Sequence, residues 1–518
     1  MTAMKDWDCR SWCLARAQAL KPALKHWSVR PRAIVQPERC PDAWQHCRMR
    51  DVAPAETLRD RAFGKGESFI VDLGESVVGR IRLRLRPLGW NDSPCRLRIT
   101  AAEMPHEAAA NLETDFHGCL SRAWMQDETV NVDVLPGDCA LPRRYSLRYL
   151  KVEVLCVAEK VAFEDIEVIA EAAERDLPPA PQELPEEWRL IHQTALRTLR
   201  NCMQDVMEDG PKRDRRLWLG DLRLQARANA VSFRRFDLIE RSLLLLAAAS
   251  DDDGRVPGCV FTEPHLRHGN DTVDYALLFA PTLEDLVSQT GDRDLAQRLY
   301  PLAARQHELF RSQLDDDGLV RHDAQGWIFI DWADFDRQTA LQGLAVYSLR
   351  SLARLARLCG LHEQALRHQD EAERLAAALR RLRYDPERHL VLSGPRREVS
   401  WAGQIWPILG GVFTPDESRD ILLAVARQPD AQRPVTPYMQ HHLLEAYRHA
   451  GLHRQAADLL SAYWGAMVRH GADTFWEVFV PGDDLLSPYQ DALLNSACHA
   501  WSCTPAAVMD DLWRQLNA

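Results

Sequence analysis

The hydrophobic period of this chain changes once, and the change falls at a stretch that cannot be regular. In "AERDLPPAPQELPEEW", Pro178, Pro179, Pro181 and Pro185 remove backbone donors and fix φ, which marks a linker over residues 178–186. Before it, apolar residues alternate: in "ESFIVDLGESVVGRIRLRLRPLG", Ile81, Leu83 and Leu85 fall on one face against Arg82, Arg84 and Arg86. "CRLRITAAE", "ETVNVDVLPG", "YLKVEVLCV" and "FEDIEVIAE" repeat the pattern between Gly, Pro, Asn and Asp turn signals. Several short strands so punctuated predict an antiparallel β-sandwich over residues 1–177. After the linker the period becomes helical, and Trp188, Ile191, Ala195, Leu199 and Met203 share one face. Helix-length segments follow near 222–249, 271–290, 294–313, 336–358, 361–382, 416–427, 437–450, 453–470 and 505–517. Successive helices with little strand signal predict an (α/α)6 barrel over 187–518, with a plain bundle or an α-solenoid as the alternatives.

Charge and cysteine usage narrow the function classes. A formal net charge of -11 argues against nucleic acid as a partner. The N-terminal "MTAMKDWDCRSWCLARAQALKP" is broken by charges where a signal peptide needs an apolar run, and no stretch is long and apolar enough for a membrane span. The 13 cysteines are odd in number and contain no CxxC pair, as expected of a reduced, cytoplasmic compartment.

The loops between the helices carry the chemistry. "DGPKRDRRLWLGD" brings Asp209, Asp214 and Asp221 together with Arg213 and Trp218. One reading is an acid-rich helix start whose arginines serve solubility. The Gly-Pro break, the tryptophan and the closing Gly-Asp favour a site, because carboxylates crowded together raise one another's pKa as a general acid requires. Glu477 in "TFWEVF", beside Trp476, is costly to bury unless it has a partner or a task. In "IFIDWADFD", Asp331 is a candidate helix cap in competition with Asp334 and Asp336, with Trp332 beside it; His499 stands in "NSACHAWSCTP". The chain has 16 tryptophans against 10 tyrosines, and indole beside carboxylate suits a sugar, stacking on its C–H face and accepting from its hydroxyls. His265, His268, His441 and His442 lack zinc-site spacing and read as structural; no P-loop, GxGxxG or GxSxG is present.

Taken in order, these loops resemble the bacterial α-L-rhamnosidases of glycoside hydrolase family 78. "DGPKRDRRLWLGD" is similar to that family's signature loop, "FIDWAD" to its Gly-Asp-Trp element, "GADTFWE" to its Trp-Glu element and "SACHAWSCTPA" to its C-terminal His element. "FIVDLGESVVGRIRLRL" and "YSLRYLKVEV" resemble its accessory β-domain. The resemblance implies an (α/α)6 barrel that releases terminal α-L-rhamnose with inversion, with Asp214 as general acid and Glu477 as general base, about 6.5–9.5 Å apart. It further implies substrate-binding roles for Asp209, Arg213, Trp218, Asp221, Trp332 and His499, to which Trp476 is added as the neighbour of Glu477. No cofactor or metal is expected of acid–base hydrolysis by two carboxyls, and a homodimer is expected.

Three departures from the family pattern matter. Many members have Glu where this chain has Asp214, and one methylene less shifts the donor by ~1.5 Å, which makes Asp209 the alternative acid. Ile330 stands where Gly is common, which would narrow the pocket. The chain stops at Ala518 without a further β-domain, and that small build predicts small rhamnosides rather than long polymers as substrates. A glycosidase of different sugar specificity, or a carbohydrate-binding protein with a disabled acid, remains the alternative.

Overall fold

The computed structural model describes residues 9–89 and 94–517; the first eight residues of the charge-broken N-terminus lie outside them. Nine strands form the first domain: β1 (Lys25–Val29), β2 (Ala33–Arg39), β3 (Cys47–Pro54), β4 (Ser68–Leu88), β5 (Cys95–Ala102), β6 (Asp127–Val132), β7 (Gly137–Ala140), β8 (Tyr145–Cys156) and β9 (Lys160–Ala172). Every pairing among them is antiparallel. The alternation in β4 does what its period implies: Ile81, Leu83 and Leu85 are buried, the arginines between them face out, and the strand runs beside β9 with Ile81 opposite Val168.

The nine strands hydrogen-bond as one continuous network. The reason is β4, 21 residues long, which pairs with β2 and β8 in its first part and with β7 and β9 in its second, across a register shift between Asp72 and Val77.

The second domain is helical. Its longer helices, with one that precedes the sheet, are α1 (Arg10–Ala19), α2 (Glu186–Cys202), α3 (Leu219–Val231), α4 (Phe236–Ala248), α5 (Phe279–Thr290), α6 (Arg293–Phe310), α7 (Gln338–Leu358), α8 (His362–Arg383), α9 (Trp401–Leu409), α10 (Pro415–Val425), α11 (Pro437–His449), α12 (His453–Arg469) and α13 (Pro505–Asn517). The starts follow capping chemistry: Asp292, Ser400 and Thr436 each accept a backbone N–H, and Thr414 and Glu417 form a capping box ahead of α10. Gly291, at φ 72°, ends α5 in the left-handed conformation glycine tolerates. No helix among the described residues is long and apolar enough to cross a membrane.

Three elements differ from the expected ones. The helix expected over 222–249 is two, α3 and α4, broken at Ser232–Arg235, where Arg234 has φ 58°. α9 was not anticipated. α1 packs on α4 of the helical domain rather than on the sheet: Cys13 and Ala17 belong to the helical core, and Arg241 donates to the Ala17 carbonyl.

Contacts run from α3 to α5, α7, α9 and α11, then through residues 500–502 back to α3, while α4, α6, α8, α10 and α12 pack outside this ring. Where α7 meets α9 the backbones nearly touch. A Cβ built on Gly343 would lie 2.3 Å from the Pro407 nitrogen and 2.5 Å from the Trp406 carbonyl carbon. Neither atom can rotate away, so Gly343→Ala should destabilise the protein by about 1–3 kcal/mol, read as a lower denaturant midpoint at unchanged slope.

Candidate active site

A cavity of about 240 Å³ opens where the loops before α3, before α7 and after α12 converge. "DGPKRDRRLWLGD" forms its floor. Asp214 and Arg215 adopt φ values of 62° and 52°, a left-handed turn that costs energy outside glycine and is typical of places where backbone geometry serves function. The loop then pairs residues 217–218 (β10) with Cys259–Phe261 (β11), and α3 starts with Asp221 in its first turn. Gly220 permits this close fit, because a Cβ there would lie 2.3 Å from the Tyr275 ring.

Lys212 and Arg213 point back into the protein. Lys212 Nζ donates to the carbonyls of Leu493 and Asn495, both at 2.9 Å, and Arg213 Nε donates to that of Leu494 at 3.1 Å. This seats the acidic loop on the segment preceding His499. Arg213 Nη2 lies 2.7 Å from both oxygens of Glu477, while Nη1 lies 3.3 Å from Asp214 Oδ1. One planar guanidinium thus stands between the two carboxyls.

Glu477 accepts two further hydrogen bonds, from the Tyr489 hydroxyl at 2.5 Å and the Ser496 N–H at 3.0 Å. Burial would raise its pKa, but Arg213, His499 and the Tyr489 hydroxyl outweigh that and hold it at about 2. Glu477 is therefore an ionised carboxylate in a buried setting, the state a general base needs.

Asp209 is the opposite case. Burial, then the charges of Asp214 and Asp221, push its pKa well above the ordinary range against a hydrogen bond from the Arg216 N–H at 3.0 Å. Burial likewise raises Asp221, with Glu477 and Asp214 adding to the effect. His499 is pushed down to about 4 by burial, against the pull of Glu477 and with the help of Arg213, and is neutral at neutral pH. Its Nδ1 lies 3.5 Å from Asp221 Oδ1.

Among the described residues, three buried polar atoms on this lining make no hydrogen bond: Asp221 Oδ1 and His499 Nδ1, which face each other at 3.5 Å, and Trp332 Nε1. Such groups are rare in folded proteins and expensive unless something else satisfies them. Around them stand Trp218, Tyr275, Trp327, Phe329, Trp332 and Trp501, which supply flat apolar faces. Polar atoms awaiting partners beside aromatic walls form a site for a hydroxyl-bearing ring. Among the described residues no group of three or more His, Cys, Asp and Glu is placed to hold a metal ion.

Of the residues singled out in the sequence, Asp209, Arg213, Asp214, Trp218, Asp221, Trp332, Glu477 and His499 line this cavity. Trp476 does not, and its expected substrate contact is corrected. Its ring packs on Trp44 of the first domain at 4.8 Å and on Phe479 at 5.5 Å, because it leaves the backbone on the side away from Glu477. Ile330 does not narrow the pocket either. It has φ 52° and is fully buried in the core, with Asp274 accepting from the N–H groups of Phe329 and Ile330, both at 2.9 Å. Asp331 caps no helix of its own loop but ties that loop to the start of α11, accepting from Val435 and Thr436. His441 and His442 are core residues of α11.

The sequence reading overlooked Leu120, Trp124, Asn270 and Tyr489, all of which line the cavity. None has a local signal: Leu120 and Trp124 belong to the first domain, and Tyr489 sits in a loop without motif residues.

Comparison with known proteins agrees with this geometry. The build is that of a glycoside hydrolase: residues 187–511 match the profile of the bacterial alpha-L-rhamnosidase 6 hairpin glycosidase domain, and residues 31–171 match that of the glycosyl hydrolase family 78 alpha-rhamnosidase N-terminal domain. The chain belongs to glycoside hydrolase family 78. It is similar to a rhamnosidase from Klebsiella oxytoca, solved with rhamnose bound, at 39% identity and TM-score 0.94, covering 97% of this chain and 98% of that one. The fold also matches a family 78 rhamnosidase of a Bacillus species at 20% identity and TM-score 0.76, over 90% of this chain and 49% of the other. A Streptomyces avermitilis α-L-rhamnosidase matches at 16% identity and TM-score 0.67, over 95% and 44%. No curated protein sequence matches the chain.

Proposed function

We propose that the protein is an inverting α-L-rhamnosidase of small rhamnosides, and that its helical domain is an (α/α)6 barrel. The closed ring of inner helices with a second set outside supports the barrel. The observation that carries the activity is the set of unsatisfied polar atoms on Asp221, His499 and Trp332 beside an ionised Glu477. The 39% identical relative, a rhamnosidase solved with rhamnose bound, supports rhamnose as the sugar.

In this reading Glu477 takes a proton from water as that water attacks the anomeric carbon, and Asp214 gives its proton to the departing oxygen. Arg213 keeps both carboxyls in place without joining the proton transfer. The two carboxyls on either side of one guanidinium are compatible with the roughly 6.5–9.5 Å gap that admits a water in inverting enzymes. A second reading assigns the proton to Asp209, and its raised pKa is the observation in favour.

The test is hydrolysis of p-nitrophenyl α-L-rhamnoside followed by NMR of the first sugar formed. The β-anomer of rhamnose is expected first; the α-anomer first would defeat inversion, and no turnover would defeat the activity. The same assay should show no loss of kcat/KM from the base as pH falls from 7 to 4. A base held at about 2 stays ionised throughout that range, whereas an ordinary glutamate would already be protonating.

A further inference from the structure

The cavity is not made by the helical domain alone. Leu120 and Trp124, in the segment between β5 and β6 of the first domain, line it together with Asp214 and Glu477. Both side chains are only half-buried, and Trp327, which lines the cavity from the helical domain, is 39% exposed. The floor carries the unsatisfied polar atoms, while the first domain contributes carbon and one indole N–H. A second sugar unit would want donors and acceptors from such a wall; a flat apolar group would not.

The wall is firmly seated. The His117 N–H donates to Asp491 Oδ2 at 2.7 Å and the Cys119 N–H to the Tyr489 carbonyl at 2.9 Å. Between them, a Cβ on Gly118 would lie 2.2 Å from Leu494 Cδ1, so the segment lies directly against the helical domain. Leu112, Met125, Leu493 and Leu494 form a small buried cluster across this seam, with Leu120, Trp124 and Tyr489 packed on it. The loop that receives the first domain is the one whose Tyr489 holds Glu477. Arg216, which lines the same cavity, holds its guanidinium 5.5 Å from the Trp124 ring and 4.2 Å from that of Phe261.

We infer that Leu120 and Trp124 of the β-domain form, with Trp327, the subsite for the leaving group, and that this subsite selects a flat aromatic leaving group over a hydroxylated one. The inference rests on the rhamnosidase reading. It assigns the first domain a part in substrate choice, with Trp124 as the residue that decides it.

The experiment compares kcat/KM for p-nitrophenyl α-L-rhamnoside, methyl α-L-rhamnoside and a rhamnosyl-glucose disaccharide in wild type, Trp124→Ala and Trp124→Phe. The aryl-to-methyl ratio should fall about tenfold in Trp124→Ala, mainly through KM, and recover in Trp124→Phe, since the aromatic face lost in the first variant is restored in the second. A fall common to all three substrates would mark Trp124 as purely structural and overturn the inference, as would no change or a loss confined to the disaccharide. A wild type inactive on every rhamnoside would defeat the rhamnosidase reading instead, so the two failures are distinct. Binding of L-rhamnose to Trp124→Ala, followed by fluorescence, shows that the variant has folded with its sugar subsite intact.

Discussion

In a Glu477→Gln enzyme, kcat on p-nitrophenyl α-L-rhamnoside should fall by about 10²–10⁴-fold, because the amide cannot take the proton of the attacking water. The substitution also strips Arg213 of its main counterion at a buried position, and breaking a buried pair in this way costs about 3–5 kcal/mol. The two effects separate by measurement. Azide needs no deprotonation, so it should restore turnover in Glu477→Gln and yield the β-azide. A variant that is merely misfolded gains nothing from azide. Stability has its own pH signature. Glu477 is depressed to about 2 from an ordinary 4.5, so its contribution is full above pH 4.5 and is lost as pH falls through 2. The stability gap between wild type and variant, measured by denaturant unfolding, should therefore close on acidification between those values. An unrescued loss of activity, or a gap that stays constant with pH, would remove Glu477 from the role of an ionised base.

The chain shows unequally in its sequence what the fold made of it. The switch of hydrophobic period at the prolines is a local property, and it separates strands from helices because each element must bury one face. The acidic loop is also local: Asp209, Asp214 and Asp221 lie within thirteen residues, so their convergence needs no knowledge of the tertiary structure. α9 went unseen because "WAGQIWPILGG" is apolar on every side and carries Pro407 near its end, which gives neither amphipathic period nor the usual absence of proline. Trp476 misled for the reverse reason. Glu477 lines the cavity while the Trp476 ring packs on Trp44 and Phe479, so neighbourhood in sequence to a catalytic candidate did not carry over into a shared pocket. Leu120, Trp124 and Tyr489 acquire their positions only when two domains dock, and docking leaves no periodic trace in either partner.

Replacing Asp214 by asparagine should divide substrates by their leaving groups. A general acid matters in proportion to how poorly the departing oxygen bears negative charge. For methyl α-L-rhamnoside, kcat/KM should drop about 10²–10⁴-fold, while 2,4-dinitrophenyl α-L-rhamnoside, whose phenolate leaves unaided, should lose less than about tenfold. Asp209→Asn is the decisive comparison. Burial, first among the causes, raises the Asp209 pKa, and in its protonated form the group offers a sugar one donor and one acceptor, which an asparagine amide also offers. If Asp209 only binds, its asparagine variant should lose modestly and equally on both substrates. If it is the proton donor, the leaving-group signature moves to Asp209→Asn and vanishes from Asp214→Asn. The backbone speaks for the first outcome: Asp214 is the residue held at φ 62°, reaching the cavity from a strained turn, whereas Asp209 is bound to the Arg216 N–H beneath it. A steep leaving-group dependence in Asp209→Asn with none in Asp214→Asn would overturn that assignment and leave the role proposed for Glu477 untouched.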